Sequence, residues 1–238
     1  MTTGSEIPKD YDFEGLFPGG CKRYTTEKYD RLRLPFPGAA GIVENYSQSM
    51  QDMFVLSMLE GKTDGYYVEI GGDRPRTISN TWLLEDKFDW KGVSFEIEDY
   101  KVEYFNTIRK NKCVCADATT FDYKTFFEEN DYPKQIDYLQ LDCDPPHVTL
   151  AALNKLPLDD YRFSVITFET DKYAGGYDVQ TQSMYTLHDH GYVRVCQNVH
   201  NEGNPYEDWW VDPETISREV WGKFVIDNAD YENIILCS

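Results

Sequence analysis

The strongest constraint on this chain is an alternation that begins after residue 60. Five short apolar runs, at 66–71, 93–98, 112–116, 136–142 and 163–168, are separated by stretches with helical spacing at 80–88, 100–109, 123–129 and 148–153. A further helical stretch follows at 179–188, and an earlier one is predicted over 48–59, where Met50, Met53, Phe54 and Met58 recur at helical intervals. Strands that are apolar on both faces and separated by helices imply a parallel sheet covered on each side. Two last strand candidates, 192–199 and 208–212, flank the turn-rich Asn201-Glu202-Gly203-Asn204-Pro205 with no helix between them, so they should pair as an antiparallel hairpin.

The expectation is therefore an α/β chain, Rossmann-like and doubly wound, with a mostly parallel seven-stranded sheet ending in an antiparallel hairpin. A length of 238 residues suits one domain. We divide it into an irregular extension over 1–44, rich in Pro and Gly, a core over 45–212 and a tail over 213–238. The N-terminus lacks a basic stretch followed by an apolar run, and no run is long enough to span a bilayer. The chain thus reads as soluble and cytoplasmic.

Charge narrows the partners. With Asp+Glu at 42 against Lys+Arg at 23, the formal net charge is −19. Such a surface repels phosphate backbones, and the densest basic stretches, Lys22-Arg23 and Arg109–Lys112, are short. Nucleic acid is not an expected partner, and a neutral small-molecule or glycan acceptor is favoured. The six cysteines lack the paired spacing of a zinc site and read as buried free thiols in a reducing compartment.

In an open doubly wound sheet, ligands bind beyond the carboxyl ends of the strands. Here those ends carry glycines and acids. The first run closes with Glu69-Ile70-Gly71-Gly72, ahead of a helix that opens after Ser79-Asn80-Thr81. The second ends at Glu96, 25 residues after Gly71, where an acid can accept hydrogen bonds from both ribose hydroxyls of an adenosine cofactor. The third is followed by Ala116-Asp117-Ala118, where an acid can take the adenine amino group. A dinucleotide fingerprint wants a third glycine in the first turn. Only Gly71 and Gly72 are present, which favours S-adenosylmethionine over NAD.

Several segments, in order, resemble FkbM-type methyltransferases. They are Tyr46-Ser47-Gln48-Ser49-Met50-Gln51-Asp52, Gly65–Gly72, Ser79-Asn80-Thr81, Trp90–Glu96, Ile136–Asp142 and Glu207-Asp208-Trp209-Trp210, spread over residues 46–212. The resemblance implies a class I fold dependent on S-adenosylmethionine, and O-methylation of sugars or natural products. It implies that Glu69, Gly71 and Gly72 lie along the methionine part of the cofactor, and that Glu96 and Ile97 hold the ribose. Asp117 and Ala118 would meet the adenine, Asp142 would flank the methyl-transfer site, and Ser47, Gln48, Asn80 and Thr81 would close over the cofactor. Two departures stand out. Arg74-Pro75 replaces the family's Asp-Gly, which sends the first loop along a different path. Asp142-Cys143-Asp144-Pro145-Pro146 replaces its Asp-x-Glu-Gly, and Gln140 stands where the family has lysine.

A hydroxyl acceptor must lose its proton as the new bond forms. The candidates for that role are Asp142 and Asp144, followed by His147. Asp142, Asp144, Glu169 and Asp171 could instead hold Mg²⁺, a hard cation suited to carboxylate oxygens. Trp209 and Trp210, as strand neighbours, should split between the core and an acceptor-side surface. Two competing readings are a catalytically inactive cofactor-binding or interaction protein and an NAD-dependent sugar-modifying enzyme.

Overall fold

The computed structural model describes residues 30–237, so Cys21 and most of the 1–44 segment lie outside the described residues. In chain order the principal elements are α1 (Gln51–Met58), β1 (Tyr66–Ile70), α2 (Trp82–Phe88), β2 (Lys91–Glu96) and α3 (Asp99–Ile108). There follow β3 (Lys112–Cys115), α4 (Tyr123–Glu129), β4 (Gln135–Leu141), α5 (Pro146–Leu153), β5 (Arg162–Glu169) and α6 (Tyr177–Asp189). The chain continues through β6 (Val193–Asn201), β7 (Asn204–Val211), α7 (Arg218–Trp221), β8 (Ala229–Asp230) and α8 (Tyr231–Ile235).

The strands described join one sheet in the order β3-β2-β1-β4-β5-β7-β6-β8. β1 to β5 pair in parallel, and β7 runs antiparallel to both β5 and β6. The doubly wound α/β expectation is met, with one correction. The sheet has eight strands among the described residues, not seven, because Ala229–Asp230 adds beside β6. The hairpin turns on Glu202 (φ 52°) and Gly203 (φ 82°), the paired positive φ angles that match the twist of the flanking strands.

The two faces of the sheet carry separate cores. One contains Tyr67, Tyr138, Val165, Trp209 and Val211, packed by α1, α2 and α8 through residues such as Met53, Phe54, Leu84 and Ile234. The other contains Val68, Ile70, Phe95, Leu139, Leu141, Ile166 and Trp210, packed by α4, α5 and α6 through Phe127, Leu153 and Leu187. Trp209 and Trp210 therefore do face opposite ways, but both are fully buried, one in each core, and neither reaches an acceptor-side surface. The Trp209 ring lies 4.6 Å from that of Phe54. Each such burial contributes about 1.5–3 kcal/mol.

Some boundaries differ for identifiable reasons: β7 begins at Asn204, not 208, because the turn needs only Glu202 and Gly203. α1 begins at Gln51, not 48, because Met50 is left-handed (φ 57°) and the residues before it are held in a turn. There Oδ1 of Asp52 accepts from Ser47 Oγ at 2.7 Å and Asn45 Nδ2 at 2.9 Å. The 213–238 tail is not peripheral: Phe224, Tyr231, Ile234 and Ile235 are buried, and Leu236 bridges Leu32. Of the cysteines described, Cys113 and Cys196 are buried, whereas Cys115 and Cys237 are exposed, so the expected burial holds for only part of the set. Among the described residues no helix is long and apolar enough to cross a membrane.

Candidate active site

From β1 the sheet grows outward to β2 and β3, and the chain then returns to lay β4 on the other flank of β1. Loops leaving β1 and β4 part in opposite directions, which opens a crevice at their carboxyl ends. A cleft of about 850 Å³ lies there, lined from the ends of β1 through β5. Its size suits a cofactor or drug-sized ligand.

At its floor Gly71 has φ 91°, and a Cβ there would lie 1.6 Å from the Asp142 carbonyl oxygen. Asp142 N donates to Ile70 O at 2.9 Å, and Gly71 N to Phe95 O at 3.0 Å, so three strand ends are laced at this point. Glu96 binds the next loop. Its Oε1 accepts from Ile97 N (2.8 Å) and Glu98 N (3.0 Å), and its Oε2 from Asp73 N (3.0 Å). A carboxylate has about four acceptor positions, so about one is left for a ligand. Asp117 is exposed on the rim. Its Oδ1 accepts from the Thr119 amide (2.9 Å) and hydroxyl (2.7 Å), which holds its carboxyl below the usual range and leaves Oδ2 unengaged by those bonds. Gln48, Ile97 and Ala118 also line the cleft.

Other candidate residues stand behind this wall. Glu69 is buried, with Oε1 accepting from Thr81 Oγ1 at 3.0 Å and Oε2 from the Ser94 hydroxyl. Burial pushes its pKa up, opposed mainly by Arg109. Ser47 is spent on Asp52, and its backbone bridges Ile78, which brings the loop after β1 over the cleft. A Cβ at Gly72 would meet Ser94 and Phe105. Asn80 is buried with its Oδ1 unbonded. Neither Asn80 nor Gly72 is among the cleft-lining residues, and His147 is exposed outside the cleft in the first turn of α5.

Sequence reasoning missed the residue that fixes this loop. Arg109 is buried and uses its whole guanidinium: Nε donates to Glu85 Oε2 (2.8 Å), one terminal nitrogen to Pro75 O (3.0 Å) and Ser79 Oγ (3.3 Å), the other to Tyr67 OH and Thr81 Oγ1 (both 3.0 Å). The Arg74-Pro75 turn is thus anchored from beneath by its own carbonyl. The unusual loop after β4 is clamped by Thr149, whose Oγ1 accepts from Cys143 N (2.9 Å) and donates to Cys143 O (2.7 Å). A buried Arg and a capping Thr have no distinctive sequence spacing.

Strand register places three acids in a row on one face: Asp142 follows Leu141, which pairs with Phe168, and Glu169 pairs with Glu207. Asp142 and Glu169 hydrogen-bond to each other, and burial raises both pKa values, that of Glu169 well above the carboxylate range. One proton shared by the pair leaves one carboxylate able to accept another. Burial also lifts Asp171, and pushes Glu207 up to about 8 although Trp209 Nε1 donates to it at 2.6 Å. The expected Mg²⁺ site is corrected here. Among the described residues no group of three or more His, Cys, Asp or Glu is arranged to hold a metal. The Asp142 and Glu169 carboxyl groups hydrogen-bond to each other instead.

These raised groups set a pH dependence. Where the folded chain holds protons that the unfolded chain has released, stability falls as pH rises. Asp52, raised from 3.8 to about 6, and Glu207, raised from 4.5 to about 8, place the window between about pH 4 and 8. Thermal denaturation across that window should show the melting temperature falling with pH, and Glu207→Gln should flatten the slope. A melting temperature that rises with pH would contradict the buried protonated row.

No protein-family model matches the sequence and no curated protein does, so the FkbM-type resemblance rests on its motifs. Among solved structures, the chain is similar to an rRNA methylase from Streptococcus thermophilus (13% identity, 68% of this chain and 94% of that one, TM-score 0.45). It is similar to a TehB-like SAM-dependent methyltransferase from Corynebacterium glutamicum (12% identity, 74% and 92%, TM-score 0.42). A METTL16 MTase domain gives 14% identity over 77% of this chain and 73% of that one, with TM-score 0.49. Likeness at this level assigns no acceptor and no residue role.

Proposed function

We propose that this chain is an S-adenosylmethionine-dependent methyltransferase acting on a hydroxyl of a small molecule, a sugar or a glycan. The observation that carries the reading is the order of groups along one cleft: the side-chain-free Gly71 floor, Glu96 at the end of β2 and Asp117 at the end of β3. That order follows a nucleoside from its amino-acid arm through ribose to base. The donor set fits: Gly71 allows close backbone approach, Glu96 retains one acceptor position and Asp117 keeps Oδ2 for the adenine amino group. Ile97 adds an apolar rim and Gln48 a polar one.

The bound cofactor supplies a methyl group on a cationic sulfonium. The chain's part is to hold the acceptor and take its proton, a role we give to the Asp142–Glu169 pair. Asp144 lies on the same loop and also lines the cleft. His147 has no part in this reading. A nucleic-acid acceptor is disfavoured, because eight carboxylates and one lysine line the cleft.

Calorimetry with S-adenosylmethionine and S-adenosylhomocysteine tests the binding half, and product formation on a sugar panel tests the transfer. Asp117→Ala should weaken cofactor binding roughly tenfold or more, with little change in melting temperature. Glu96→Ala should weaken binding and lower the melting temperature together, since it also strips three backbone N–H groups of their acceptor. Undiminished affinity in both variants rejects the assigned nucleoside site.

A further inference from the structure

We infer that the β4–β5 end of the cleft is an acceptor subsite for a positively charged sugar, a hydroxylated ring bearing a protonated amine. The inference rests on the methyltransferase reading for the meaning of "acceptor", but its evidence is separate. Among the described residues the one cleft-lining cation, Lys101, is committed at the far end, 2.8 Å from Asp73. At the β4–β5 end stand Asp142, Asp144, Glu169 and Asp171, with no basic side chain among the lining residues there. Lys172, next in sequence to Asp171, is directed to Asn198 Oδ1 at 3.0 Å.

Asp171 makes this end a built site. It is 5% exposed and lines the cleft; its carboxyl hydrogen-bonds to Tyr173 and Glu169, while its Oδ1 has no hydrogen-bond partner. A buried carboxylate oxygen left unbonded is costly. Its backbone is held there in the left-handed region (φ 45°) by Asp171 N donating to Tyr206 O at 3.0 Å. Even with a proton between Asp142 and Glu169, four carboxyl groups crowd this end with no basic side chain among them. A sulfonium would offset part of that charge and an ammonium group on the acceptor more of it, with charge-assisted hydrogen bonds to Asp171 and Asp144.

The neighbouring surface suits a ring. Tyr173 is 57% exposed, lines the same end of the cleft and hydrogen-bonds to Asp171, which puts an aromatic side chain beside the subsite for the apolar face of a pyranose. A uronic acid or phosphorylated sugar would meet the same carboxylates as repulsion.

The test is calorimetry on the full chain, at a mildly acidic pH that keeps the amine charged. Methyl glucosaminide, methyl glucoside and methyl glucuronide are titrated with and without saturating S-adenosylhomocysteine. The glucosaminide should bind at least about tenfold more tightly than the glucoside, and the glucuronide should not bind. Asp171→Asn should remove most of that preference while changing S-adenosylhomocysteine affinity far less. Should the variant be unstable, Asp144→Asn, on an exposed side chain, should reduce the preference partially. Equal affinity for glucosaminide and glucoside, no binding of either, or a preference intact in both variants overturns the subsite. Discrimination among the sugars in a chain that binds no S-adenosylhomocysteine leaves the subsite standing and overturns the methyltransferase reading.

Discussion

Arg109→Met should cost the fold about 3–5 kcal/mol, because one partner of a buried ion pair is removed and the other stays behind. Glu85 would lose its 2.8 Å partner, Glu69 the nearby positive charge that opposes its protonation, and Tyr67, Ser79 and Thr81 a shared donor. Urea unfolding would register the loss as a lower midpoint. The double variant Arg109→Met with Glu85→Met should be less destabilised than the sum of the two single variants, since it removes both charges. Arg109→Lys should fall between, keeping the charge but not the planar fork that reaches Pro75 O. A single methionine variant within about 1 kcal/mol of the parent would show that the network is not what holds the first loop.

Gly71→Ala should be comparably severe and should also abolish cofactor binding. Two effects add at this position. The left-handed φ costs an alanine about 1–2 kcal/mol, and the new methyl must displace the Asp142 carbonyl, 1.6 Å away. The end of β1 can relieve the overlap only by moving from β4, which breaks the Asp142 N to Ile70 O bond and distorts the cleft floor. Gly191→Ala separates the two effects, because its φ is 82° but nothing lies within 4 Å of its Cβ position. Thermal denaturation of both variants, with calorimetry, should find Gly191→Ala mildly destabilised and binding normally. Equal losses in the two would mean that strain alone matters and that the contact with Asp142 yields easily.

The alternation of apolar runs and helical spacing was enough to place β1 to β5 within a residue or two, because strands buried on both faces have few other ways to read. The hairpin was legible from Glu202-Gly203, where turn chemistry is local. The added strand β8 was not: two residues carry no period, and their pairing depends on the buried tail around Tyr231–Ile235. At the cleft, Glu96 and Asp117 could be marked because each follows a strand. Their differing attachment could not be, since Glu96 is bound by backbone amides from two loops. Glu69 and Glu96 look alike as acids at strand ends. One faces Thr81 and Ser94 behind the wall and the other reaches the cleft, a distinction made by strand parity and loop path together. The carboxylate row Asp142–Glu169–Glu207 needs two registers at once, one of them antiparallel, and no linear pattern records that.

The strand order has a consequence for how the protein is made. As the chain is synthesised from its N-terminus, β1 can pair early with β2, but its other edge waits for β4, where Tyr67 meets Tyr138. The outer edge of β5 waits longer, because its neighbour is β7, and β6 must emerge first and then be passed over. A nascent chain halted anywhere before β7 therefore has an open edge beside Glu169, and the row of acids lacks Glu207. The residues that line the cleft, the last of them Tyr173, are thus synthesised before β7, the strand that closes the edge beside Glu169, so the acceptor end of the cleft stands unsupported until the hairpin folds back onto β5.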